Sequence, residues 1–244
     1  MTRALDIFVA GIGLLVTAPI LLPMMFLIWW QDRHSPLYIA PRVGLKGRSF
    51  RMIKLRSMVV NADKSGVDST EATDNRITPV GHFIRKYKLD ELVQFWNILL
   101  GDMSLVGPRP NVRRETDLYT TLEMRLLKVK PGITDFASIV FADEGDILNG
   151  EADPDLAYNQ LIRPGKSRLG LFYIERQSIL LNLQLCALTA IALFSRTLAL
   201  SGVVRLLKRH GADKDLQELS LRTEPLVPLP PPGASGVVMS RCEL

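Results

Sequence analysis

The sequence predicts an α+β, mainly helical fold, and three features carry that expectation. Ile7 to Trp30 is an uncharged run of 24 residues with Pro19 and Pro23 inside it. Leu37–Pro41 and Ser49–Leu55 read as two short strands of a small β-hairpin joined around Gly44–Gly47. Apolar residues then recur at helical spacing in Leu89–Leu100 (Leu92, Phe95, Trp96, Leu99), and a second apolar region runs from Leu169 to Leu200. The expected organisation is a kinked membrane-anchoring helix at 1–35, a membrane-associated domain with interfacial amphipathic helices at 36–210, and a disordered Pro-rich tail at 211–244.

The N-terminal run would measure about 36 Å as a helix, enough to cross a bilayer core. It is too long for a signal peptide, and no small-residue cleavage site ends it. A mid-helix proline lacks its N–H and clashes with the preceding turn, which predicts a bend at Pro19. Such a helix either enters one leaflet and returns or spans with a kink; the residues alone leave both open. Residues 31–66 hold eight Lys/Arg against Asp32 and Asp63. By the positive-inside rule this segment is cytoplasmic. Trp29 and Trp30 close the run as interfacial aromatics.

With 47% hydrophobic residues and a net charge of +5, the chain suits anionic partners, either a membrane surface or nucleotide phosphates. No DNA- or RNA-binding motif is present, so nucleic acid ranks last. Cys186 and Cys242 make no disulfide framework, and Cys242 is misplaced for a prenylation box.

The chemistry concentrates in Gly81–Pro110. Asp90 and Glu91 fall in the first turn of the Leu89–Leu100 helix, which Gly101 would end. Carboxylates there are usually only caps. These two, however, have Arg85, Lys86 and Lys88 before them and Arg109, clamped by Pro108 and Pro110, after them. Adjacent carboxylates among cations suit a Mg²⁺–diphosphate ligand, since Mg²⁺ takes one or two carboxylates plus substrate phosphates. Lys54 and Arg56 share one face of the second strand; by pattern alone they are edge-strand solubilisers.

Lys88–Leu92 (KLDEL), Asn97 and Gly101–Pro110 (GDMSLVGPRP) together resemble the core of the bacterial sugar transferases, the small monotopic polyprenyl-phosphate glycosyl-1-phosphate transferases. Arg42–Gly44, Phe50–Met58 (FRMIKLRSM) and Pro131–Thr134 extend the likeness over roughly residues 3–205. The resemblance implies a re-entrant helix bent at Pro19 and a catalytic domain on the cytoplasmic face of the bacterial inner membrane. It implies transfer of sugar-1-phosphate from a nucleotide sugar, expected to be a UDP-sugar, to undecaprenyl phosphate, initiating exopolysaccharide or other glycoconjugate assembly. Asp90 would attack to form a phosphosugar-aspartate, and Glu91 would hold Mg²⁺. Arg85, Arg109, Lys54 and Arg56 would bind substrate phosphate. Ala18 replaces the family's serine before Pro19, with Thr17 offering a hydroxyl nearby. Val93 replaces a proline, and Asp135 and Ser138 replace a glycine and a glutamine, which bears on sugar specificity. Two other readings stay open: a Mg²⁺-dependent nucleotide-sugar pyrophosphatase, and a non-catalytic basic membrane-anchored scaffold. A homodimer is among the open assembly states.

Elsewhere the sequence predicts a solvated helix over Val112–Val129 and a Pro131–Gly132 turn open to close approach by a ligand. Phe141–Asp155 reads as an acidic, solvated loop. Ile179–Phe194, uncharged over 16 residues, is short for a span and fits an interfacial or buried helix. Arg205, Lys208, Arg209 and His210 form a basic patch suited to anionic headgroups. From Thr223 the prolines favour extended chain.

Overall fold

The computed structural model describes residues 3–65, 70 and 73–240. Cys242 and the loop acids Asp68 and Glu71 lie outside the described residues. Helix α1, Arg3–Asp32, continues through both prolines. The Thr17 hydroxyl donates to the Gly13 carbonyl at 2.6 Å, in the turn before Pro19. Only 17% of the most apolar 18-residue window of α1 is buried, whereas the core helix of a soluble domain would be mostly covered. Its buried residues, Asp6, Ala10, Leu21 and Ile28, recur at helical spacing along one stripe.

That stripe is fastened to the body at both ends. Arg3 donates to the carbonyls of Ile98 and Leu99. Asp6 accepts from the Ser104 hydroxyl at 3.0 Å and from the Leu105 N–H at 3.2 Å. At the other end of this 30-residue helix, Asp32 takes two hydrogen bonds from Arg56, at 2.6 and 2.7 Å.

Strands β1 (Leu37–Val43) and β2 (Ser49–Leu55) form an antiparallel hairpin that pairs Leu37 with Leu55 and Val43 with Ser49. β1 runs two residues beyond its expected end; Pro41 is tolerated because β1 is an edge strand. Helix α2 (Pro79–Lys86) starts under a Thr78 cap and lies hard against the exit of β2. A Cβ on Gly81 would sit 1.9 Å from the Ser57 carbonyl oxygen.

The single helix expected over Leu89–Leu100 is two short ones, α3 (Leu89–Leu92) and α4 (Phe95–Leu100). Between them Gln94 N–H bonds to Glu91 O and Trp96 N–H to Val93 O, the tighter three-residue spacing. Lys88, just before α3, is left-handed at φ 55° and turns the chain sharply out of α2. The expected apolar stripe needs correction: Trp96 is half exposed, while Gln94, Asn97 and Ile98 are buried. Asn97 explains the shift. Its side chain accepts from Ile53 N–H at 2.9 Å and donates to Arg51 O at 2.7 Å, docking α4 onto β2. Gly101 ends α4 at φ 95°, as its position predicts.

β3 (Ser104–Val106) pairs in parallel with β4 (Gly132–Thr134). The close approach expected at Gly132 is to protein backbone and not to a ligand: a Cβ there would meet Gly107 N at 2.1 Å. Val112–Val129 is not one solvated helix. It contains α5 (Arg113–Thr116) and a 3₁₀ segment, Glu123–Lys128, whose Glu123 is wholly buried.

Phe141–Asp155 is likewise not a solvated loop. After α6 (Phe136–Val140) come α7 (Glu144–Ile147), α8 (Pro154–Ala157) and a π-helical turn, Tyr158–Ile162. Helices α9 (Arg163–Arg176), α10 (Ile179–Ala192) and α11 (Arg196–Arg209) then close the main core around Phe136, Leu169, Tyr173, Leu181 and Val203. α10 buries Leu181, Asn182 and Leu185 and leaves Leu180 and Leu183 exposed, with Leu193 and Phe194 just beyond it.

The expected disordered tail from residue 211 also needs correction. Helix α12 (Lys214–Leu221) packs on α9 and α11. Residues 223–240 have no regular structure, but they are held. Leu229 N–H donates to Gln160 O at 3.1 Å, and Gln160 Nε2 donates to Val238 O at 2.7 Å. The Thr120 hydroxyl donates to Pro232 O at 2.5 Å.

Candidate active site

The β-hairpin, α3, the Arg109–Val112 segment and the α7–α9 stretch enclose a cavity of about 620 Å³. Asp90, Glu91, Lys54, Arg85, Lys88 and Arg109 all line it. Five polar side chains from three separated stretches of sequence, with Lys88 beside them, therefore share one chamber.

The two carboxylates differ in surroundings. Asp90 is buried, and Lys54 Nζ stands 4.0 Å from its Oδ2. Burial raises the Asp90 carboxyl above its usual range, with the Lys54 charge opposing. α3 has only four residues, so the helix-dipole stabilisation expected of a first-turn aspartate is overruled by desolvation. Burial, with Arg109 nearby, brings the Lys54 ammonium down to about 8. Glu91 is the reverse case. Burial works against its charge, but Arg109 and Lys54 prevail and hold it down at about 2. Arg109 NH2 meets Glu91 Oε1 at 2.5 Å.

Arg56 lies in the cavity wall, yet its guanidinium is taken. It binds Asp32 through two bonds and donates from Nε to Ser35 O at 2.8 Å. The phosphate-binding role expected of it is therefore corrected to a latch for the end of α1, and the same bonds lower Asp32 to about 2. Lys54, two residues earlier on the same strand face, does reach a carboxylate. Pro19 sits within α1 and is not part of the cavity lining.

Sequence reasoning missed the far wall. Glu144 pairs with Lys166, and Lys166 Nζ lies 5.0 Å from the centre of the Tyr158 ring; all three line the cavity. These residues are 8 to 22 positions apart, so no local spacing ties them together. The two departures at Asp135 and Ser138 answer each other. Asp135 Oδ1 accepts from Ser138 N–H and Asp135 N–H donates to Ser138 Oγ, both at 2.7 Å, capping α6. Neither lines the cavity.

Among the described residues no group of three or more His, Cys, Asp or Glu is arranged to hold a metal. Two neighbouring carboxylates, Asp90 and Glu91, are too few for an all-protein cage; Mg²⁺ is commonly held by one or two carboxylates with substrate phosphates and water completing its shell.

Comparison with known proteins gives these residues a context. The sequence matches the bacterial sugar transferase family over residues 1–196. It is 36% identical over 161 residues to a UDP-N-acetylgalactosamine-undecaprenyl-phosphate N-acetylgalactosaminephosphotransferase of Aeromonas hydrophila, covering 64% of this chain and 38% of that protein. A UDP-glucose:undecaprenyl-phosphate glucose-1-phosphate transferase of Klebsiella pneumoniae is 34% identical over 191 residues, 77% of this chain and 38% of its own length. The exopolysaccharide production protein ExoY of Rhizobium meliloti is 36% identical over 147 residues, 54% of this chain and 65% of its own. The chain thus spans between 38% and 65% of the length of these three relatives. The match over residues 1–196 takes in α1, the hairpin and the paired carboxylates, and the chain belongs to the bacterial sugar transferase family.

Proposed function

We propose that this protein is a phosphoglycosyl transferase that moves sugar-1-phosphate from a UDP-sugar to undecaprenyl phosphate at the cytoplasmic face of the inner membrane. One observation carries the reading: a buried, cation-faced Asp90 stands beside an arginine-bound Glu91 in a chamber adjoining a mostly uncovered apolar helix. In the first step an Asp90 carboxylate oxygen attacks the β-phosphorus. The bond from that phosphorus to the bridging oxygen breaks, and nucleoside monophosphate leaves with the electron pair. In the second step an oxygen of the lipid phosphate attacks the same phosphorus and releases the Asp90 carboxylate. Lys54 holds Asp90 and offsets phosphoryl charge, while Arg109 fixes Glu91 in its ionised form. Glu91 would hold Mg²⁺ with the donor phosphates; when bound, the ion neutralises diphosphate charge and favours departure of the leaving group.

The fastening of α1 supports re-entry over spanning. A 30-residue helix is about 45 Å long, yet polar groups at both its ends, Arg3 and Asp6 on one side and Asp32 on the other, bind the same body. A spanning helix would have to carry Arg3 and Asp6 to the far face, away from Ser104. With Cys186 and Cys242 replaced by serine, Thr2→Cys and His34→Cys should both react with an impermeant thiol reagent only from the cytoplasmic side. Reaction of Thr2→Cys from outside would establish a span. The function itself is tested by supplying a panel of UDP-sugars with and without undecaprenyl phosphate. Sugar diphospholipid formed with release of UMP is the expected result. Free sugar-1-phosphate formed at the same rate with and without lipid would identify a pyrophosphatase instead.

A further inference from the structure

The cavity wall is drawn from two unlike groups of residues. Ser35, Leu37 and Met58 belong to the hairpin and its flanks; Ser35 and Leu37 follow the C-terminal turn of α1, where Trp29 and Trp30 are exposed. Asn111, Glu144, Tyr158 and Lys166 come from the segments after β3.

The second group is built to be rigid. Lys166 and Glu144 form an ion pair whose side chains are 14% and 34% exposed. Burial opposes the Glu144 charge, but Lys166, with Arg109 further off, outweighs it and keeps the carboxylate ionised. The neighbouring Asp143 is gripped by Arg196 at 2.8 Å and by Arg222 at 3.0 Å. The π turn that carries Tyr158 is pinned through Gln160 to Leu229 and Val238. Both clamps use residues beyond the family match, which ends at 196. A fixed carboxylate beside a fixed ammonium presents an acceptor and a donor a few ångströms apart. A vicinal hydroxyl pair or a hydroxyl beside an acetamide can bond to both, and an epimer with one group turned away forfeits one of the two bonds. A uracil ring would call for an open aromatic face, whereas Tyr158 is buried with Lys166 over its ring.

Resting on the transferase reading above, we propose that Glu144 and Lys166 form the donor-sugar subsite and decide which UDP-hexose is accepted. The test is calorimetric, on full-length protein in detergent. UDP, UDP-glucose, UDP-galactose, UDP-N-acetylglucosamine and UDP-N-acetylgalactosamine are titrated into the wild type, Glu144→Gln, Glu144→Asp and Lys166→Met. The preferred hexose should bind more tightly than UDP in the wild type. In the variants its advantage over its epimer should fall by about tenfold, the worth of one hydrogen bond to a charged group, while UDP affinity stays within about twofold. Glu144→Asp keeps the charge and the ion pair, so it reads the subsite if the other variants fold poorly. An unchanged epimer ranking in folded variants would overturn the proposal. So would an equal loss for UDP and every UDP-hexose, which would place the pair at the nucleoside or phosphates. Because binding is read without turnover, a wild type that binds UDP-hexoses but transfers nothing would refute the transferase reading and leave the subsite result standing.

Discussion

Glu123 and Arg163 are fully enclosed, and their polar atoms are answered. Glu123 accepts from Arg163 Nε and NH2, from the Ser167 hydroxyl at 2.6 Å and from Thr120 N–H at 3.0 Å. Arg163 also donates to Asn159 Oδ1 at 2.9 Å and to Leu118 O. Asp90 is buried and Lys54 half-buried; they face each other at 4.0 Å, without a direct side-chain hydrogen bond found for either among the described residues. The first pair is saturated, so its charges are compensated and it serves packing. The second is left open, so desolvation acts on it unopposed by hydrogen bonds, moving the carboxyl up and the ammonium down. The two acid–base pairs in one body thus differ in how completely they are bonded, and in the proposed mechanism the open one is the chemical pair.

Substitutions at the two pairs should therefore have opposite signatures. Asp90→Asn removes the attacking oxygen's charge and should abolish UMP release by several orders of magnitude, while the thermal midpoint stays level or rises because a buried charge has gone. Glu91→Gln should also cost orders of magnitude in turnover, and EDTA should stop the wild type until Mg²⁺ is restored; full activity in chelator would remove the metal from the account. At the saturated pair, Arg163→Met leaves Glu123 buried and uncompensated. Chemical denaturation should show a loss of about 3–5 kcal/mol, with turnover per folded molecule retained.

A smaller effect sharpens the contrast through pH. In the proposed mechanism turnover needs Asp90 ionised and Lys54 protonated. Lys54 keeps its proton below about 8 and loses it above, so the rate should fall on the alkaline side from about pH 8. Asp90, raised by burial, loses its charge as pH falls, at a pH above the ordinary aspartate range. Lys54→Arg retains its proton and should move the alkaline limb upward while leaving the acid limb in place. An alkaline limb that stays at about pH 8 in this variant would take Lys54 out of the pair's chemistry.

What could be read from sequence was what lies close in sequence. Asp90, Glu91 and their flanking cations are contiguous, the hairpin alternates around its glycine turn, and α1 is one unbroken run. What escaped were partnerships made by folding. Glu123 meets Arg163 from 40 residues away, and Glu144 meets Lys166 from 22 away; as isolated letters they look like solvated charge. Arg56 resembled a phosphate ligand until Asp32, 24 residues earlier, took its guanidinium. Trp96 looked like core by spacing, but the tightened turn at Val93–Gln94 and the docking of Asn97 on β2 rotate the buried face away from it. The tail's prolines argue for extended chain, but composition does not register Thr120 and Gln160 on the body, which hold it.

The central claim is that the open, buried carboxylate is the one that bonds to phosphorus. Wild-type protein with Mg²⁺ and a UDP-sugar labelled at the β-phosphate, but no lipid phosphate, halts after the first step. Quenched and digested, it should carry phosphosugar on the peptide containing Asp90, with UMP released in equal amount and no label in Asp90→Asn. Label on Glu91, or UMP release by Asp90→Asn at the wild-type rate, would contradict it.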